Sequence, residues 1–70
     1  MIEIFKTDVQ TKTQAKLILE VLKKGFSEAR INFDLADCDR ILRVDGIDEA
    51  GSRVLINDLR RLGFNCEILN

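Results

Sequence analysis

Ala29-Arg30-Ile31-Asn32-Phe33-Asp34-Leu35, followed after a short break by Arg40-Ile41-Leu42-Arg43-Val44, is the stretch on which the fold turns. Apolar and polar residues alternate through the first segment. Ile31, Phe33 and Leu35 therefore share one face of an extended strand, and Arg30, Asn32 and Asp34 the other. In the second segment Leu42 and Val44 are the core-facing pair. Asp37-Cys38-Asp39 supplies turn residues between the two, which makes them a hairpin. The chain on either side of that hairpin is long enough for one helix and one further strand.

Upstream, Ile2-Glu3-Ile4-Phe5-Lys6-Thr7 is rich in strand formers and reads as a strand over residues 2 to 7, with Ile2 and Ile4 directed into the core and Phe5 the other way. Thr11-Lys12-Thr13-Gln14 has the spacing of a capping box, in which the Thr11 hydroxyl and the Gln14 side chain satisfy orphaned backbone donors at a helix start. Ala15, Ile18, Leu19, Leu22 and Phe26 then draw one apolar stripe at helical period. Lys23 and Lys24 suit the negative end of that helix, and Gly25 is expected to take the left-handed capping conformation.

Downstream, Asp45-Gly46 ends the third strand and Asp48 is placed to cap a second helix. Leu55, Leu59 and Leu62 form its expected core stripe and Gly63 its stop, while Gly51 weakens its first turn. Phe64 to Leu69 reads as a fourth strand, with Phe64, Cys66 and Ile68 on one face. Two strand-helix-strand units joined by a hairpin make an α+β, ferredoxin-like βαββαβ domain over residues 1–70. Right-handed crossovers put both helices on one face of a four-stranded antiparallel sheet ordered 4-1-3-2. The loop after the first strand, the hairpin and the loop before the fourth strand then lie at one end, where a site is expected.

Composition narrows the function. The chain has no His, so Ser-His-Asp and Cys-His nucleophile systems and His-containing metal sites are excluded. Twelve acidic and eleven basic residues, net −1, are spread along the chain and leave no footprint for nucleic acid or an anionic membrane. Two cysteines are too few for a disulfide framework, and no signal peptide or membrane span is visible. A soluble, cytoplasmic protein is expected.

Lys6-Thr7-Asp8-Val9-Gln10-Thr11, Gly25-Phe26 and Leu62-Gly63-Phe64 carry a resemblance. With the element order and length, they make the chain similar to the heavy-metal-associated domain of copper chaperones and P-type metal pumps. That family opens with Met-Thr-Cys-x-x-Cys between its first strand and first helix. In the matching places here Thr7 is retained, and Asp8 and Thr11 stand where the two cysteines would be. The resemblance implies the fold but not the metal, because a carboxylate is a hard ligand and a hydroxyl stays protonated at neutral pH, whereas Cu(I) takes thiolates.

The remaining candidates read as structural. Cys66 fits a small buried hydrophobe, and Cys38 stands between two carboxylates rather than beside the cation that activates a thiol. Asp34, Asp37, Asp39 and Asp45 lack EF-hand spacing and suit turns. No RNA-stacking aromatics lie on the third strand. The expectation is a non-enzymatic interaction or adaptor domain, monomeric or weakly dimeric, with no cofactor, no metal and an unidentified protein partner. Its contacts are expected through Phe5 and Ile41 on the sheet face opposite the helices, joined there by Leu69. Asp8, Val9, Gln10, Thr11 and Cys38 are the expected contacts at the loop end. The alternatives are a metal-binding or metal-responsive domain using Cys38 with Asp side chains, and a small-molecule sensor module.

Overall fold

A computed structural model describes residues 1–36 and 38–69. Among them the chain forms β1 (Ile2–Thr7), α1 (Lys12–Gly25), β2 (Arg30–Asp34), β3 (Ile41–Asp45), α2 (Glu49–Arg61) and β4 (Cys66–Ile68). The strands make one antiparallel sheet in the order β2-β3-β1-β4, which is the ferredoxin-like arrangement. Ala15, Ile18 and Leu22 of α1 and Leu55 and Leu59 of α2 join Phe5, Ile31, Leu42, Val44 and Cys66 in one core between the helices and a single face of the sheet. Asp37, which belongs to the expected turn and to the expected acidic group, lies outside the described residues.

The facing of β1 is the reverse of the sequence expectation. Phe5 pairs with Leu42 and both are fully buried, while Ile2 is 46% exposed and Ile4 half-buried. Two apolar residues on one parity competed with one phenylalanine on the other. A Phe side chain buries more apolar area than an Ile, and it lands opposite Leu42 on the covered face. Thr7 shares that face and is tolerated there because its hydroxyl donates to the Arg40 carbonyl at 2.6 Å. In a strand, one choice of parity sets every side chain.

The helix starts follow the local chemistry. The Gln14 backbone N–H donates to the Thr11 hydroxyl at 3.1 Å and the Thr11 N–H to the Gln14 side-chain oxygen at 3.2 Å, which completes the capping box. At α2 the Gly51 N–H donates to the Asp48 carboxylate at 2.7 Å. Gly51 serves close packing, since an added Cβ would sit 2.8 Å from Ile47 Cγ1 and 3.0 Å from Asp48 Oδ1. The glycine that looked like a weak helix residue is what lets the first turn rest on Ile47.

The helix ends depart from expectation in two places. Gly25 is the last residue of α1 and is not left-handed; the Phe26 N–H closes the helix on the Leu22 carbonyl at 2.8 Å. Gly63 does take a left-handed φ of 95°, and beside it the Phe64 N–H reaches back to the Leu59 carbonyl at 3.0 Å. That stop comes early enough to leave Leu62 past the helix and 37% exposed, so it is not part of the core stripe. β4 is shorter than residues 64–69, and β3 begins one residue later than expected because Arg40 occupies the left-handed region at φ 49°.

Candidate functional site

The loop end of the sheet is built from backbone groups in need of partners, and its polar side chains supply them. Asp8 accepts the Asn65 N–H at 2.8 Å and so ties the loop after β1 to the residue before β4. The Val9 N–H rests on the Thr7 hydroxyl at 3.3 Å, and the Val9 side chain is fully buried. The Gln10 N–H donates to the Gln14 side chain at 2.9 Å, and Thr11 caps α1. Thr7 also donates its backbone N–H to the Asp39 carbonyl at 3.2 Å, which docks the hairpin onto the loop. These contacts brace the turn rather than converge on a ligand.

A cleft of about 280 Å³ opens there between Lys6, Asp8, Arg60, Cys66 and Glu67. Its one thiol, Cys66, is buried. Burial pushes Cys66 up to about 12 from an ordinary 9.0; Arg60 opposes the rise, and Asp8 and Glu67 add to it. Cys38 is exposed in the hairpin turn, and neither cysteine is in a disulfide. Asp34 accepts the Ala36 N–H at 3.2 Å, and Asp39 lies 3.9 Å from Lys6. Among the described residues no group of three or more His, Cys, Asp or Glu side chains is placed to hold a metal ion.

The expected contact residues therefore separate. Asp8, Gln10, Thr11 and Cys38 are exposed at the loop end. Val9 is in the core and offers nothing to a partner. Phe5 is corrected from the open face to the helix-covered face. Ile41 does lie on the open face, since its neighbours Leu42 and Val44 are the buried parity of β3.

What the sequence reading missed is the company Ile41 keeps. Ile2 and Ile4 share its face because Ile4 pairs with Arg43. The Leu69 N–H donates to the Ile4 carbonyl at 2.9 Å, one step beyond the Phe5–Ile68 pair, which sets Leu69 beside Ile4. Around these four aliphatics stand Lys6, Arg30 and Arg43 and, with the opposite sign, Asp34, Asp45 and Glu67. The signal was present in the sequence: placing Phe5 opposite Leu42 sends Ile2 and Ile4 outward together.

The buried residues of both helices pack on the other face of the sheet, and among the described residues no helix is long and apolar enough to cross a membrane. No family model matches the chain, and neither a curated protein nor a solved structure matches it.

Proposed function

We propose that this chain is a non-enzymatic protein-interaction domain that meets its partner through the uncovered face of its sheet. The observation that supports this is the aliphatic group Ile2, Ile4, Ile41 and Leu69, set among three basic and three acidic side chains on the open side of the sheet. A face with an apolar centre and a rim of both signs suits a protein surface of matching character. It suits a polyphosphate backbone poorly, since that calls for basic charge alone. The loop end contributes less, because Asp8 and Thr11 are engaged in holding the chain together.

The scaffold belongs to the same reading. Thr11 heads α1 and Asp8 lies in the loop before it, and we align them with the two places where a heavy-metal-associated domain carries its cysteines. We read the chain as a domain similar to that family in layout, with the metal pair replaced by a cap and a loop clamp.

The test is affinity isolation from the cells that make the protein, followed by titration of the identified partner in pure form. Ile4→Asp should weaken that binding at least about tenfold, the scale of losing one buried apolar contact. Leu17→Asp, at a position 53% exposed on α1, should leave it unchanged. A partner that tolerates Ile4→Asp and is lost with Leu17→Asp would overturn the reading.

A further inference from the structure

The edge strand β2 is complementary to its own reverse. Its residues are Arg30, Ile31, Asn32, Phe33 and Asp34, and the order is basic, apolar, amide, apolar, acidic. In an antiparallel pair centred on Asn32, Arg30 of one copy faces Asp34 of the other, Ile31 faces Phe33, and Asn32 faces itself. Cross-strand pairs of opposite charge and of aromatic with β-branched side chains are the ones that stabilise sheets. From this self-complementarity we propose that β2 is a homodimerisation edge, at which two copies join their sheets into one of eight strands.

The fold leaves this edge available. β2 ends the sheet, and among the described residues nothing pairs with its outer side. It pairs with β3 without a bulge from Arg30 to Asp34, and the chain contains no proline to blunt it. The opposite edge, β4, has only three residues and offers a much poorer template. Arg30 and Asp34 are exposed, and neither enters an ion pair among the described residues.

The register is specified as well as permitted. A shift of one residue would set Arg30 level with Phe33 of the second copy, on the wrong face, and a shift of two would leave both charges without their partners. The two-fold axis runs through the sheet plane at Asn32 and perpendicular to it. All four helices therefore stay on one side, and the two open faces merge on the other. On the helix side each Ile31–Phe33 pair adjoins the groove of about 540 Å³ between α1 and β2, whose floor includes Leu19 and Leu35. Five paired residues bury less than the roughly 1,200 Å² of a stable interface, so the dissociation constant belongs in the range of about 10 to 100 µM.

Sedimentation equilibrium from about 2 µM to 1 mM, spanning that range, tests the proposal by charge reversal. The wild-type chain should pass from monomer to dimer. Arg30→Asp and Asp34→Arg should each remain monomeric, because each sets like charges face to face. An equimolar mixture of the two should dimerise again, since both pairs between positions 30 and 34 are then of opposite sign, and so should the double variant. Recovery in the mixture also demonstrates that both chains are folded. Asn32→Lys provides a second probe at an exposed position, because only an Asn32-centred pair sets the two lysines against each other, and it should weaken association at least about tenfold. A wild-type chain that stays monomeric throughout, or a dimer indifferent to all three single substitutions, would overturn the proposal.

Discussion

Phe5 of β1 stands directly opposite Leu42 of β3, and neither has any exposed surface. That pair sets the parity of the central strands. Phe5, Thr7, Leu42 and Val44 lie under the helices, and Ile2, Ile4, Ile41 and Arg43 lie on the side the helices do not cover.

Phe5→Ala should therefore cost about 3 to 5 kcal/mol, as large-to-small changes in a packed core do. Ile4→Ala, on the open face, should cost less than about 1.5 kcal/mol. Urea denaturation of the two variants checks the order. The opposite order would restore the parity in which Ile2 and Ile4 are the core residues.

Ser52 of α2 is buried, and its hydroxyl has no hydrogen-bond partner among the described residues. Removing an unpartnered buried polar group relieves a desolvation cost, and alanine is the better helix former. Ser52→Ala should leave stability unchanged or raise it by about 1 kcal/mol. Thr7→Val provides the contrast. It deletes the donor to the Arg40 carbonyl and should cost about 1 to 3 kcal/mol. Denaturant midpoints for the two variants should move in opposite directions or differ clearly in size.

The two thiols should behave differently. Cys38 is exposed and should react with an aromatic disulfide reagent in the native protein, whereas Cys66 should react only after denaturation. The pH dependence follows from the raised Cys66 value. Between 9.0 and about 12 the folded chain holds a proton that the unfolded chain has released, so this contribution to stability is complete below 9.0 and declines as pH rises toward 12. Wild type should accordingly lose more stability than Cys66→Ala across that window. Equal losses would remove the link between burial and the thiol.

If the proposed likeness to a heavy-metal-associated domain holds, Asp8→Cys with Thr11→Cys brings two thiols together at the head of α1. Cu(I) binding against a competing chelator should rise sharply and require both substitutions, and adding Cys38→Ala should leave it nearly unchanged. Loss of the Thr11 cap should cost about 1 kcal/mol. A folded, reduced double variant that binds no better than the parent would leave only the general fold in common.

Most of the fold was legible because it rests on local rules. The capping box at Thr11 and Gln14, the Asp48 cap, the left-handed Gly63 and the alternation of Ile31 with Phe33 are written within a few residues of each element. The failures arose where distant contacts decide. Whether Phe5 or Ile4 faces the helices depends on the strand it pairs with, and Leu62 left the core because Gly63 ends the helix one residue before it. Val9 gave no sign of burial, since its place comes from a turn held by Thr7 and by the Asp8 link to Asn65. The candidate surface shares that dependence: local alternation puts Phe5 with Ile41 and Leu69 on the open face, whereas the pairing of Phe5 with Leu42 puts Ile2 and Ile4 there instead.

The facing of β1 underlies both the proposed interaction face and its aliphatic centre, and thiol accessibility tests it most directly. With Cys38→Ser as background, Ile4→Cys and Phe5→Cys are compared for reaction with an aromatic disulfide reagent under native conditions. The account predicts that Ile4→Cys is labelled at a rate near that of an exposed thiol, and that Phe5→Cys is at least about 100-fold slower, limited by opening of the core. Faster labelling of Phe5→Cys than of Ile4→Cys would contradict it.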